Sequence, residues 1–422
     1  MLSRTVSNVA RQATRVRAFS SQAAAVSPAS QKYIDLEDRY GAHNYSPLPV
    51  VLSRGEGVYM WDVDGKKYYD FLAAYSAVNQ GHCHPRILEA MTAQAGRLAL
   101  TSRAFYNDVL GEYERYACEL FGYDRLLPMN TGVEGGETAI KLARKWGYMV
   151  KKIPEDQAVV IFAKNNFWGR TLAAVSASND PLSFKNYGPL LPGFRSVDYD
   201  DLPALEAAFK ADPNICAFMV EPIQGEAGVI LPTDGYLKAV RALCDKYNVL
   251  FIADEVQTGL CRTGRMPDVL ILGKALSGGM YPVSAVLTSH EVMNTITPGT
   301  HGSTYGGNPL ASAVATAALK VLVDENLAEN SARMGEKLRA GLRGFESTGL
   351  VADVRGRGLL NALQIKPKGD VDAWEICLRL RDRGLLAKPT HNNTIRFAPP
   401  LVINDQQMDE CINIIGDVLH TV

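Results

Sequence analysis

The chain has 422 residues, 47% of them hydrophobic and 21% charged, with a formal net charge of −1. So even a balance offers no field to recruit nucleic acid or an anionic membrane, and no apolar run approaches the ~20 residues of a bilayer span. A soluble chain of two or three domains is expected at this length. The seven cysteines (Cys83, Cys118, Cys216, Cys244, Cys261, Cys377, Cys411) form no CxxC pair, which fits a reducing compartment better than a disulfide framework or a zinc site.

In chain order, the first segment stands apart. Arg4, Arg11, Arg15 and Arg17 all precede the first carboxylate, Asp35, and Val6, Val9, Ala13 and Val16 share one helical face. An Arg-rich, Ser-rich, acid-free amphipathic stretch describes a mitochondrial transit peptide; the alternative is a disordered basic tail. Arg17-Ala18-Phe19-Ser20 resembles a matrix-protease site. Residues 1–25 are therefore set apart from the fold, and the mitochondrial matrix is the expected location. Asp64-Gly65 between two alternating runs signals a hairpin. Apolar β-rich runs follow at Val159–Ala163, Ala217–Val220, Val249–Ala253 and Val269–Leu272, with amphipathic helices such as Glu134–Val150 and Tyr236–Lys246 between most of them. This alternation predicts an α/β fold with a mostly parallel sheet. Ser284–Thr288 follows too closely for a parallel crossover and is expected to run antiparallel. Beyond residue 325 the pattern reads as helices with intermittent strands, including Leu359–Ile365 and Thr394–Phe397. The expected division is a large central domain over 76–325 and a smaller α+β domain built from 26–75 and 326–422.

Open α/β sheets hold ligands at the carboxyl ends of their strands. Three segments there carry chemistry. Val249–Ala253 delivers Asp254 and Gln257; Val269–Gly273 delivers Lys274; and Met129-Asn130-Thr131-Gly132-Val133-Glu134 opens a helix with the Thr-x-x-Glu spacing of a capping box. Each alone is weak, since a strand-terminal Asp is often a cap and a strand-terminal Lys often just reaches solvent. Together they meet the needs of pyridoxal 5'-phosphate. That cofactor requires a lysine amine to condense with its aldehyde, a carboxylate for its ring nitrogen and an anion site for its phosphate.

Asp254-Glu255-Val256-Gln257-Thr258-Gly259 with Gly273-Lys274-Ala275-Leu276-Ser277-Gly278-Gly279 resembles the signature of the class-III (ω) aminotransferases, fold-type I pyridoxal-phosphate enzymes with a seven-stranded sheet. The likeness is closest to the ornithine-using branch of that family. It rests on Gly41-Ala42-His43-Asn44-Tyr45, Tyr75-Ser76-Ala77-Val78-Asn79-Gln80-Gly81-His82-Cys83-His84-Pro85 and Asn166-Phe167-Trp168-Gly169-Arg170-Thr171. It continues through Val220-Glu221-Pro222-Ile223-Gln224-Gly225-Glu226-Ala227-Gly228, His301-Gly302-Ser303-Thr304-Tyr305-Gly306-Gly307-Asn308-Pro309 and Leu386-Ala387-Lys388-Pro389-Thr390-His391. The resemblance implies that Lys274 holds the cofactor and shuttles the proton, and that Asp254 salt-bridges its ring nitrogen. Gln257 would bond the phenolic oxygen, Phe167 stack on the ring, and Gly132 and Val133 bind phosphate. Thr304 would reach the phosphate in a neighbouring subunit, which makes the unit a homodimer. For substrates it implies L-ornithine and 2-oxoglutarate. Arg170 would take the distal carboxylate with Tyr45 assisting ornithine, Arg396 the α-carboxylate of the oxo acid, Glu226 would switch on and off Arg396, and Tyr75 would set δ-amine preference. Without the resemblance, sequence alone favours reading Arg170, Glu226 and Arg396 as surface ion pairs.

One departure stands out. Lys274 lies only 20 positions after Asp254, where relatives insert roughly two further helical turns. The fourteen steps from Asp254 to Asp268 can span about 46 Å against a strand of about 17–20 Å, so the connection is feasible. The apolar face under the missing helix is expected to lie open or to find another cover. Gly135, where relatives commonly carry alanine, is a lesser departure. Two alternatives stay open: another ω-aminotransferase acting on acetylornithine or 4-aminobutyrate, and a catalytically silent subunit partner motivated by the short crossover.

Overall fold

The structure, a computed structural model, describes residues 26–262, 271–369, 371–391 and 393–422. The expected transit segment 1–25 and residues 263–270 of the short connection, with Val269 and Leu270 of an expected strand, lie outside the described residues.

A seven-stranded sheet forms the centre. Its order is Arg125–Met129, Ser284–Thr288, Ile271–Leu272, Leu250–Ala253, Ile215–Val220, Val159–Ala163 and Phe194–Val197, the third and fourth joined by a parallel bridge between Asp254 and Ile271. Ser284–Thr288 runs antiparallel to both neighbours and the other described pairings are parallel, as its short connection predicts. The strands read as near-continuous apolar runs because both faces are covered. Val160 and Phe162 pack under helix Gly132–Met149 through Ala139, Leu142, Ala143 and Trp146. Their alternates, Val159 and Ile161, meet Leu205, Phe209, Val240 and Cys244 of helices Leu202–Ala211 and Tyr236–Tyr247. Two strands, Arg125–Met129 and Phe194–Val197, go unread in the sequence. Arg125–Met129 carries Pro128, which reads as a breaker but is tolerated because the strand lies at the sheet edge.

Both ends of the chain build the remaining sheets. Leu52–Glu56, Tyr59–Asp62 and Lys67–Asp70 form an antiparallel meander, with Asp64-Gly65 at its hairpin turn (Gly65 φ 82°), and Leu385–Leu386 adds to Lys67–Asp70 in parallel. Val351–Arg357, Leu360–Ile365, Thr394–Phe397 and Lys388–Thr390 form a four-stranded antiparallel sheet. The C-terminal region thus holds more strand than its sequence suggests, because Asp353, Arg355, Gly356 and Arg357 break the apolar alternation of the first strand.

One local conformation is unusual. Ala73, Ala74, Tyr75 and Ser76 all have positive φ (47°, 48°, 60° and 72°) and make one left-handed turn, closed by Ala77 N–H donating to the Ala73 carbonyl at 2.8 Å. Left-handed helix costs roughly 1–2 kcal/mol per non-glycine residue, so the surroundings must hold it. The buried Asp70 carboxylate does so: Oδ1 accepts the N–H groups of Leu72 (2.9 Å) and Ala73 (2.8 Å), and Oδ2 pairs with His82 Nε2 at 2.8 Å.

Candidate active site

The carboxyl ends of the parallel strands converge on a cavity of about 820 Å³. Val220 and Ala253 are register partners, so Glu221 and Asp254 leave neighbouring strands side by side. Leu272 runs into Gly273 and Lys274, and Met129 leads to the helix beginning at Gly132. Lys274, Asp254, Gly132, Val133, Phe167, Gln257, Tyr45, Tyr75, Arg170 and Glu226 all line this one cavity. Arg396 is buried beside it, with Nη1 3.0 Å from Glu226 Oε2 and its guanidinium 4.9 Å from the Tyr75 ring centroid. Thr304 is exposed and is not among the lining residues.

Each wall has its own electrostatics. Burial pushes the Asp254 carboxyl up to about 6, against the Val256 N–H bond and the nearby Lys274 ammonium, which both favour its ionised form. Burial pulls the Lys274 amine below its ordinary range despite the carboxylates of Asp254 and Glu221. A shift in this direction favours the neutral amine, the better nucleophile and proton acceptor. At the helix start, Thr131 Oγ1 accepts from Glu134 N–H (3.3 Å) and the Glu134 carboxylate accepts from Thr131 N–H (2.7 Å), the reciprocal capping box its spacing predicts. Those bonds leave the N–H groups of Gly132 and Val133 without a partner among the described residues. Unsatisfied donors at a helix N-terminus facing a cavity suit a phosphate.

The same cavity carries charge of both signs. Arg170 donates to Ser183 Oγ at 2.9 Å and its guanidinium sits 5.2 Å from the Phe167 ring centroid. Arg396 is 3% exposed, and its Nε is a buried donor without a partner among the described residues. The pair Glu226–Arg396 is thus half-buried, which removes the surface-pair reading for these two; Arg170 remains exposed.

These residues match what pyridoxal phosphate requires: a lysine of lowered basicity, a buried carboxylate that accepts a single backbone N–H among the described residues, and free helix-start donors, all on one cavity. Comparison with known proteins agrees. The model of the family "Aminotransferase class-III" matches residues 40–419. The chain belongs to the class-III aminotransferases. It is 67% identical over 388 residues to the mitochondrial ornithine aminotransferase of Drosophila melanogaster, covering 90% of this chain and 89% of that one. It is 60% identical over 401 residues to the rat (Rattus norvegicus) counterpart, covering 93% and 91%. Among solved structures, ornithine aminotransferase from Toxoplasma gondii ME49 superposes with a TM-score of 0.91 at 49% identity, covering 93% of this chain and 95% of that one. Acetylornithine aminotransferase from Elizabethkingia anophelis gives 0.85 at 54% identity, covering 93% and 99%. The protein is therefore a pyridoxal-phosphate-dependent aminotransferase of fold type I.

Sequence reasoning passes over one member of this aminotransferase site. Glu221 is buried, accepts the N–H of Phe167 at Oε1 (2.9 Å) and of Gly225 at Oε2 (3.2 Å), and lines the cavity. Burial, reinforced by the Asp254 charge, pushes its carboxyl up to about 8. It ties the segment bearing Phe167 to the one bearing Glu226. The signal was present in the sequence: a strand-terminal acid one strand over from Asp254.

The connection from Asp254 to Lys274 leaves the strands it joins side by side. Glu255 N–H donates to the Ile271 carbonyl at 3.1 Å, and Asp254 and Lys274 share the cavity. Elsewhere on the sheet, described residues including Leu142, Leu237, Leu250, Ile252, Val286 and Val292 line a cavity of about 790 Å³.

Proposed function

We propose that this chain is an ornithine δ-aminotransferase. It moves the δ-amino group of L-ornithine to 2-oxoglutarate, giving glutamate and glutamate 5-semialdehyde, which cyclises to pyrroline-5-carboxylate. The observation that carries the reading is the paired Arg396–Glu226 beside Tyr75, with Lys274 and Arg170 lining the same cavity as Glu226 and Tyr75. Identity of 60–67% to proteins named ornithine aminotransferase supports it.

The cofactor, when bound, supplies an aldehyde that takes up the transferred nitrogen and a ring that draws electrons from the adjoining carbon. Asp254 would offer its ring nitrogen a carboxylate, Gly132 and Val133 would offer N–H donors to its phosphate, Phe167 would offer its ring a stacking face and Gln257 its phenolic oxygen a hydrogen bond. Lys274 Nζ, of lowered basicity, holds the migrating proton in both halves of the ping-pong reaction. Ornithine presents its δ-amine and leaves its α-amino acid group at the far end, where Arg170 and Tyr45 receive it. During that half Glu226 neutralises Arg396, so no unpaired cation faces the ornithine chain. 2-Oxoglutarate carries a carboxylate at each end; one takes Arg170 and the other displaces Glu226 from Arg396, where bidentate pairing is strong.

A homodimer completes the site in this reading. Thr304 lies outside its own chain's cavity, and Phe105 (73% exposed), Tyr106 (fully exposed) and Tyr305 (52%) offer an apolar surface for a second copy. The location is the mitochondrial matrix, supported by the mitochondrial names of the fly and rat relatives and by the acid-free arginine segment of residues 1–25.

The test is spectral and chemical. Purified protein loaded with pyridoxal phosphate should show an absorbance band that shifts with L-ornithine and less with N-acetylornithine or 4-aminobutyrate. Borohydride reduction and peptide mapping should place the pyridoxyl group on Lys274, and Lys274→Ala should abolish it. Label on another lysine overturns the lysine assignment. A preference for N-acetylornithine or 4-aminobutyrate favours those readings, and a chain that binds no cofactor favours the silent subunit.

A further inference from the structure

Releasing Glu226 from Arg396 raises a charge problem that the pair alone does not solve. When the oxo acid's carboxylate occupies Arg396, the Glu226 carboxylate sits half-buried beside a second anion, and a displaced charge in such a place needs a new partner. The sheet below it provides a candidate. Strands Lys388–Thr390 and Thr394–Phe397 pair antiparallel, with Lys388 opposite Arg396 and Thr390 opposite Thr394. Directly opposed residues share a face, as do residues two apart on one strand. Lys388, Thr390, Thr394 and Arg396 therefore point the same way.

The segment carrying Glu226 lies over that face. Thr390 Oγ1 donates to the Glu226 carbonyl at 2.9 Å, Arg396 Nη1 approaches the Gly225 carbonyl at 3.5 Å, and a Cβ placed on Gly228 would come within 3.8 Å of Thr394 Cγ2. Lys388 is partly buried, yet its ammonium makes no hydrogen bond or ion pair among the described residues, whereas Arg396 next to it has Glu226. Burial and the Arg396 charge both depress the Lys388 amine, and Glu226 acts in the opposite direction. Two basic side chains thus sit opposite one another on the sheet, and the nearby Glu226 carboxylate pairs with Arg396 alone among the described residues.

We propose that Lys388 is the second seat of Glu226, receiving its carboxylate when a dicarboxylate substrate takes Arg396. Lys388 is on this view a positioning residue, acting on the oxo-acid half of the reaction through Glu226. The inference rests on the Arg396–Glu226 reading given under the proposed function.

The test uses the cofactor-loaded enzyme and separates the two halves of the reaction. Lys388→Gln removes the charge with little change of size, and Lys388→Arg restores it. Glutarate, a five-carbon dicarboxylate that cannot react, measures oxo-acid binding by calorimetry without turnover. Loss of one partly exposed ionic partner is expected to weaken glutarate binding roughly three- to tenfold in Lys388→Gln and to raise KM for 2-oxoglutarate by a similar factor. The ornithine half should change less than about twofold, since Glu226 then stays on Arg396. Lys388→Arg should recover most of the loss. In a Glu226→Gln background no carboxylate needs a second seat, so Lys388→Gln should have no further effect on glutarate. Equal losses in both halves, no loss at all, or an undiminished loss in the Glu226→Gln background each overturn the proposal, the last by showing direct contact of Lys388 with substrate. If Arg396→Met leaves glutarate binding unchanged, the underlying Arg396 reading fails instead. Thermal midpoints of all variants identify a loss that comes from misfolding, and the arginine variant then decides the matter.

Discussion

At the scale of single residues, the site is a set of ionisable groups moved away from their ordinary behaviour by burial. Glu221 is the extreme case, raised from near 4.5 to about 8. A carboxyl held more tightly protonated in the folded state favours folding at low pH. That contribution is lost as pH rises from the unfolded value through the folded one. Stability of the cofactor-free protein should therefore fall between about pH 4.5 and 8, with Asp254 adding to the fall between 3.8 and about 6. Glu221→Gln should flatten the upper part of this slope in urea unfolding at several pH values; an unchanged slope would mean that Glu221 ionises normally. Tyr75 offers a second prediction. Its ring lies against Arg396 and its hydroxyl is raised by burial, so Tyr75→Ile removes a polar wall and leaves an aliphatic one. Ornithine turnover should drop and activity on 4-aminobutyrate should rise, because a site lacking a needed hydrogen-bond partner discriminates more than one merely the wrong size. An unchanged ratio of kcat/KM for the two amines counts against this.

At the scale of elements, strain and caps aim the side chains. The left-handed turn Ala73–Ser76 presents Ala74 and Tyr75 to the cavity, and Asp70 holds it by two backbone N–H bonds and the contact to His82. Strained backbone persists where surrounding structure over-determines it, often at sites of function. Asp70→Ala should cost about 1–3 kcal/mol by leaving buried N–H groups unpaired, and should also reduce the preference for ornithine over 4-aminobutyrate. Asp70→Asn keeps an acceptor for Leu72 and Ala73 and should do less harm to both. If Asp70→Ala lowers the thermal midpoint while the amine preference stays constant, the turn is structural only. Gly135 has its own tertiary reason: a Cβ there would lie 3.0 Å from Ile271 Cγ2, so the helix approaches the strand that delivers Lys274 more closely than alanine comfortably allows.

At the scale of the whole molecule, the short connection between Asp254 and Lys274 tests how much of the fold the sheet supports by itself. The bridge from Asp254 to Ile271 keeps the sheet continuous across seven strands. Burying a handful of apolar side chains under a two-turn helix is worth several kcal/mol at about 25 cal/mol per Å², a large part of a typical stability of about 5–15 kcal/mol. A version with a family-length segment inserted after Arg265, a position outside the described residues, should melt at higher temperature and hold pyridoxal phosphate more tightly. If the two versions melt together and bind the cofactor equally, the short crossover is a harmless variation.

By itself the sequence determined the α/β class, the antiparallel Ser284–Thr288, the Asp64-Gly65 hairpin and the capping box at Thr131. Each depends on local chemistry: apolar runs, loop length, turn residues and the spacing of a side-chain acceptor. It also placed Asp254, Lys274 and Gly132 at strand ends, and resemblance added Tyr75, Arg170, Glu226 and Arg396. What stayed hidden depends on contacts between distant segments. The burial of Arg396, the seating of Glu221 between Phe167 and Gly225, and the alignment of Lys388 with Arg396 arise only when strands pair. The left-handed turn at Ala73–Ser76 could not be read from propensity, because alanine, tyrosine and serine disfavour it; the Asp70 carboxylate just before it, paired with His82, holds it in place. Local propensity chose the elements; tertiary packing chose which buried charges face one another.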